Sequence, residues 1–375
     1  MGSQRFRRHQ PRIKFSFQLF RLNALDPQAP PPHEATLQNQ ISCQLTMKPD
    51  SGKIPPENNL KHMRLLLFSL LALLTLPASA ATVTFGTGAN QFTMDFVDVG
   101  NTTNVDDDTG YGAVPYNYQI AVHEVSESMI IAANTAGSLG LTQDTRGVDK
   151  PSTSISWNEA ARFVNYLNTS NGFQPAYNFA TQPGDVAPAY DPNENLTLWS
   201  SPEAWKLGGE NLFRHKDAHY FLPSENEWYK AAYYDGSAST YFDYATGSDS
   251  APTAVASGTA AGTAVYDQSF AAGPADITNA GGLSPYGTMA QNGNVWEWAE
   301  SGFTAPNDSA AESRVLRGGN WNFSSFDLQS SSRSFAFSPS DVGSSTGFRV
   351  AAVPEPSTLW MMLVGAIGLM TRRKR

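Results

Sequence analysis

Alternating apolar and polar positions mark the first structured stretch of the chain. Thr82-Val83-Thr84-Phe85 and Phe92-Thr93-Met94-Asp95-Phe96-Val97 repeat every second residue, the period that turns one face of a strand toward a core. Tyr116 to Val122 alternates in the same way. Two helices are announced by their first turns. In Ser156-Trp157-Asn158-Glu159 a hydroxyl and a carboxylate stand at capping-box spacing, and Ala160, Phe163, Val164 and Leu167 then fall on one helical face. Asn171-Gly172 ends that pattern. Ser224-Glu225-Asn226-Glu227 repeats the box after Pro223, followed by Trp228, Ala231 and Ala232 at helical spacing. A weaker helix is expected after Ser126, and short late strands at Arg314–Arg317 and Gly347–Ala351. From Tyr234 to Gly282 the chain is rich in Gly, Ala, Ser and Thr, and loops of that length inside a domain are often functional. The pattern predicts an α+β domain with two or three helices, modest strands and much irregular chain.

Both ends carry a different pattern. Leu65 to Leu76 is an almost unbroken apolar run, of signal-peptide rather than membrane-span length. Arg64 precedes it and Ala78-Ser79-Ala80 supplies a small-residue cleavage pattern, so residues 63–80 read as a signal peptide. Residues 1–62, basic and rich in Pro and Gln, then form an upstream extension expected to be disordered. At the other end, Val353-Pro354-Glu355-Pro356-Ser357 leads into an apolar run, Leu359 to Met370, and then Arg372-Arg373-Lys374-Arg375. As a short C-terminal apolar helix of ~14 residues this would rise only ~21 Å against a hydrocarbon core of ~30 Å, a marginal transmembrane helix. The ordered trio at 353–375 resembles the PEP-CTERM sorting signal. That resemblance implies transit through the inner membrane and a sorting protease there, then delivery to the periplasm, cell surface or extracellular matrix.

Removing both ends changes the charge. The whole chain carries −9, whereas Ala81 to Thr371 holds 11 Lys and Arg against 30 Asp and Glu, a balance of −19. Such a surface repels phosphates, so no nucleic acid partner is expected. Cys43, the one cysteine, lies before the signal peptide, which leaves the exported product without a thiol. Disulfides and thiolate metal sites are thereby excluded from residues 81–352, and stability has to come from packing.

Five blocks follow one another in residues 81–352. They are Tyr118 to Ser126, Ser154 to Ala160 and Phe221 to Trp228, then Tyr286-Gly287-Thr288-Met289 with Gly293-Asn294-Val295-Trp296-Glu297-Trp298, and last Arg317-Gly318-Gly319-Asn320-Trp321 with Arg333 and Gly347-Phe348-Arg349. The ordered set resembles the formylglycine-generating enzyme (sulfatase-modifying factor) family. The resemblance implies that family's fold, a C-type-lectin-like variant with little regular secondary structure. The tryptophans at 157, 228, 296, 298 and 321 are expected as core anchors, each with a partner for its indole N–H. Arg317, Arg333 and Arg349 are expected to fix loops by bonding buried carboxylates or carbonyls, with Glu227 and Glu297 as partners. The glycines at 293, 318 and 319 are expected where φ is positive or backbone approaches closely.

The resemblance also says what is missing. Active members hold copper(I) on two cysteines just after the Arg-Gly-Gly block, and soft thiolates suit that ion. Counted from Arg317, those positions fall at about Phe323 and Leu328, and Asn322 to Ser334 contains neither Cys nor His. Formylglycine-generating oxidase activity is therefore not expected, and the chain reads as a pseudoenzyme. His215 and His219 stand four apart but precede a strand entry, so a locally bonded pair is expected rather than a metal site. Structural calcium is the one cofactor that the resemblance leaves open, with Glu297 and the carbonyls of Gly293 and Val295 as ligands. Ala290 and Val265 stand where further oxygen ligands belong, which weakens both family calcium sites. No nucleophile elbow, Walker loop or dinucleotide fingerprint occurs. The expectation is an exported, non-catalytic binding or structural module, with extracellular polysaccharide or an envelope protein as partner. The Tyr234–Gly282 stretch is its candidate surface. The alternative is a divergent enzyme of the same family, with a non-haem metal or a relocated active site, a reading that convergent polar groups near Trp321, Asn322 and Arg333 would favour.

Overall fold

A computed structural model describes residues 80–304 and 308–354. The chain divides into two units, Met1–Pro77 and Ala78–Arg375, and every described residue belongs to the second. The upstream extension, the signal peptide up to residue 79 and the apolar helix expected near the C-terminus lie outside the described residues. Among the described residues no helix is long and apolar enough to cross a membrane, so the transmembrane-helix expectation gains no support.

The early alternation does form strands. Ala81–Phe85 (β1) and Phe92–Val99 (β2) pair antiparallel with Phe85 opposite Phe92, and β2 pairs with Tyr118–Ala121 (β3). Tyr220–Phe221 (β4) is the far edge of the same sheet. A second sheet is built on Trp296–Gly302 (β5), flanked by Arg314–Arg317 (β6) with Ala336–Phe337 (β7) outside it, and on the other side by Thr346–Gly347 (β8). Ala351–Ala352 (β9) then returns to the first sheet, which runs β1-β2-β3-β9-β4. Ala351 faces Ile120 on one side and Phe221 on the other, antiparallel to both. The late strand expected over Gly347–Ala351 is thus two strands in two sheets. Its middle, Phe348 to Val350, leaves the ladder to bury Phe348, Arg349 and Val350 completely.

Among the described residues there are three α-helices, so the domain is mostly sheet and irregular chain with few helices. Glu127–Gly137 (α1) is capped by the Ser126 side chain, which accepts from the Met129 N–H. Trp157–Ser170 (α2) and Glu225–Tyr233 (α3) each begin with a complete capping box, from Ser156 with Glu159 and from Ser224 with Glu227. The second helix buries Phe163 and Leu167 against the first sheet, and Phe163 meets Phe348 edge-on at 5.6 Å. The Tyr234–Gly282 stretch is fastened rather than free. Thr253–Ala254 pairs parallel with Thr263–Ala264, and Tyr244, Val265, Tyr266 and Ala280 are buried.

Candidate functional site

The five block tryptophans are all buried, as expected of anchors. Trp157 donates to the Ala299 carbonyl and Trp298 to that of Ile155, each at 3.0 Å, which ties the start of the second helix to β5. Trp228 donates to Glu297 Oε2 at 2.7 Å, and Trp321 to the Phe270 carbonyl at 3.2 Å.

Three buried ion-pair clusters hold the loops that have no ladder of their own. Arg349 makes two parallel bonds of 2.6 Å to Glu297, and also donates to the carbonyls of Met289, Ala121 and Val122. Arg317 and Arg333 both reach Glu225 Oε1, their Nε donating at 2.8 Å. The third cluster was not legible in the sequence. Arg214 lies between Glu227 and Glu300, at 2.8 Å and 2.7 Å, with all three side chains essentially sealed from solvent. Glu227 is therefore the partner of Arg214 and not of the three arginines it was expected to serve. Glu225, two residues earlier and on another face of α3, takes Arg317 and Arg333 instead. Burial opposes the charge on Glu227, but the Arg214 guanidinium beside it wins and holds its carboxyl below the usual range.

The positions where the resemblance would require sulfur are occupied by packing. Phe323 meets the rings of Trp296 and Phe335 edge-on, both at 5.6 Å. Leu328 is completely buried, in a cluster with Tyr244, Ala264 and Tyr266. Neither residue offers a lone pair to a soft cation, so the pair does not fit copper(I). Around them, Trp321 lies between Phe270, stacked at 5.5 Å, and the Arg146 guanidinium at 5.1 Å. Asn322 is bonded to the Gln268 carbonyl, and Arg333 to Glu225 and the Phe303 carbonyl.

Nor does Glu297 fit a calcium ligand. Its two oxygens accept from Arg349 and Trp228, and a guanidinium at 2.6 Å stands where a dication would be repelled. Gly293 and Val295 are beside it in sequence, but the glycine serves the backbone. Its φ of +87° lets it approach the Val265 carbonyl, and its N–H donates to Gly318 at 2.7 Å. Gly318 and Gly319 likewise have positive φ, as expected. His215 ends the strand Asn211–His215, where its Nδ1 accepts from the Asp217 N–H at 3.1 Å, and His219 stacks on Phe173 at 4.4 Å. Among the described residues no group of three or more His, Cys, Asp and Glu is placed to hold a metal ion.

A concave feature of the domain lies elsewhere. A cavity of about 400 Å³ opens between β2, the chain leading from β3 into α1, and the segment around Asp276. Phe92, Met94, Met129 and Ile277 give it apolar walls. Asp95, Asp149, Asp276, His123 and Glu124 also line it. Burial, helped by the nearby Arg349 charge, lowers the His123 pKa, so the imidazole is neutral at pH 7. Glu124 is fully buried; its Oε2 accepts from Asn294 at 2.6 Å, and its Oε1 makes no hydrogen bond of good geometry. Burial and then the Glu297 charge hold this carboxyl well above the usual range, against the pull of Arg349 and the donors of Asn294 and Val295. Sequence reading passed over this cavity because its lining comes from four separated stretches, and only Ala121, His123, Glu124 and Ser126 belong to a recognised block.

Comparison with known proteins bears on both ends of this description. A search of curated proteins returns no match. Among solved structures, Treponema denticola variable protein 1 is similar over 74% of this chain and 100% of its own, with 21% identity and a TM-score of 0.47. CarF covers 74% of this chain and 99% of its own at 19% identity and a TM-score of 0.46. PvdO from Pseudomonas aeruginosa covers 74% and 100% at 16% identity and a TM-score of 0.45. The model of the PEP-CTERM protein-sorting motif matches residues 352–375, which marks the chain for export through the membrane to the cell envelope or extracellular space. The model of the sulfatase-modifying factor enzyme 1-like domain matches residues 81–353, and with those blocks in place the chain belongs to that family.

Proposed function

We propose that this chain is a non-catalytic binding or structural module of the family, exported and retained at the envelope or in the extracellular matrix. In this reading, cleavage after Ala80 and near Pro354 to Ser357 leaves residues 81–352 as the working protein, and a sorting protease at the inner membrane makes the second cut. The observation that carries the reading is the apolar filling of the two positions after Arg317-Gly318-Gly319. Phe323 packs edge-on against aromatic rings and Leu328 is sealed in a core cluster, so no pair of soft ligands is available for copper(I). The engagement of Trp321, Asn322 and Arg333 by neighbouring groups further supports a module over a divergent enzyme at that location. Extracellular polysaccharide or an envelope protein is the partner class we assign to it. The test is to incubate the purified chain with copper, oxygen and a Cys-x-Pro-x-Arg peptide and look for the aldehyde by mass. The expected result is no product above a metal-only control, and turnover above that control would overturn the reading.

A further inference from the structure

We infer that the outer edge of β1 is an interface between two copies of this chain, paired antiparallel about a two-fold axis at Val83. The first sheet has two ends. At one, β4 is two residues long and buried. At the other, β1 lies outermost, with Thr82 and Thr84 exposed. The ladder fixes which backbone groups face outward. The Val122 N–H donates to the Asp95 carbonyl at 2.8 Å, so Asp95, and Thr93 two residues before it, turn their backbone groups toward β3. Thr82 stands opposite Asp95 and Thr84 opposite Thr93. Both threonines therefore turn their N–H and carbonyl away from β2, to the open edge. Among the described residues no other segment bonds these four groups. Sheet edges are ordinarily guarded by charge, proline or a bulge. β1 has none of these, and Ala81 to Phe85 pairs with β2 over successive residues without a shift in register. The strand is also complementary to itself. With the two Val83 residues opposite each other, Thr82 of each copy meets Thr84 of the other as a hydrogen-bonded pair, so new bonds satisfy all the outward groups. Charge favours the same occupant. Between Ala81 and Thr371 the chain carries −19, so copies repel over most of their surface, yet Ala81 to Met94 holds no charged side chain. Asp95, the first charge on β2, would stand three strand spacings, about 14 Å, from its counterpart, beyond the screening length of ~8 Å. A basic partner would find nothing to attract it on this edge. The pairing is closed, since each copy spends its one long open edge, and association stops at two.

The experiment is sedimentation velocity on the exported protein from about 1 µM to about 1 mM, the range in which modest affinities are read, together with thiol cross-linking. The expected result is a dimer at high concentration that dissociates to a monomer on dilution. Thr84→Pro removes an outward N–H and leaves the ladder to β2 intact, so its melting temperature should match wild type. It should weaken the dimer about tenfold or more, because half of the new bonds are lost. Val83→Cys and Thr82→Cys, each combined with Cys43→Ser so that no other thiol is present, report the register. Across the paired edges the two Val83 residues form a close pair with Cα atoms ~4.5 Å apart, which a disulfide spans, whereas the two Thr82 residues lie diagonally at more than ~7 Å. Val83→Cys should therefore form a disulfide dimer about tenfold faster than Thr82→Cys, although Thr82 is the more exposed. A monomer at every concentration, assemblies larger than a dimer, association unchanged in Thr84→Pro, or faster cross-linking at Thr82 would overturn the inference. If Thr84→Pro folds poorly, the two cross-linking rates still decide it.

Discussion

Leu328 presses a terminal methyl against Gly319, so that a side-chain carbon added to the glycine would stand 2.7 Å from Leu328 Cδ1. Gly319 also has a φ of +75°, a conformation that other residues rarely adopt. Gly319→Ala should therefore destabilise the domain by about 1–3 kcal/mol, the usual cost of overpacking. Leu328→Ala should cost about 2–5 kcal/mol through the cavity it leaves. Because the two changes relieve each other, the double variant should be less damaged than the sum. Urea melts of the four proteins measure this, and strict additivity would show that the two residues do not meet.

Breaking the Arg349–Glu297 pair should be more costly than replacing it. Either Arg349→Met or Glu297→Leu alone leaves a buried charge without its partner, at about 3–5 kcal/mol. The double variant should recover part of that loss. Chemical denaturation of the three variants decides it, and single variants within about 1 kcal/mol of wild type would contradict a sealed pair.

Trp298 is fully buried with its indole bonded to the Ile155 carbonyl, while Trp296 packs on Phe335 at 4.7 Å. Alanine at either position should cost about 3–5 kcal/mol. Thermal melts within a degree or two of wild type for both would show that the block is not structural.

Glu127 makes stability depend on pH. Both of its carboxylate oxygens are buried without a hydrogen bond of good geometry, and burial, outweighing the Asp144 backbone N–H, pushes its pKa from 4.5 up to about 7. The folded state therefore keeps a proton that the unfolded state releases. This contribution is fully present below pH 4.5 and is lost as pH rises through about 7. Glu127→Gln, neutral throughout, should flatten that part of the profile and raise stability at pH 8 relative to wild type. Melting temperatures at pH 4, 6 and 8 check this; parallel profiles for the two proteins would exclude Glu127 as the cause.

What the sequence made legible was local. Ser156 with Glu159 and Ser224 with Glu227 announce helix starts because both partners of each cap lie within one turn. The strands around Val83 and Met94 declare themselves because one face is apolar. The Arg317-Gly318-Gly319 block and the sorting motif were recognisable as ordered residue sets. Arg214 escaped because its partner Glu300 lies 86 residues away and neither residue's neighbours mark the contact. The late strand was misjudged for a related reason. Alternation cannot tell that Gly347 and Ala351 serve different sheets when buried Arg349 between them is held by Glu297. The cavity was invisible because Asp95, His123 and Asp276 are brought together only by the fold.

The placement of β9 has a consequence for secretion. It lies between β3 and β4, inside its sheet rather than at an edge, although it is the last strand described along the chain. A polypeptide emerging from a membrane channel in chain order presents β3 and β4 with an open slot between them until Ala351–Ala352 arrives. On such a route the first sheet can close only once Ala351–Ala352, next to the segment bearing the sorting motif, has emerged. A chain cut short of that strand would lack the segment that joins Tyr118–Ala121 to Tyr220–Phe221 within the sheet.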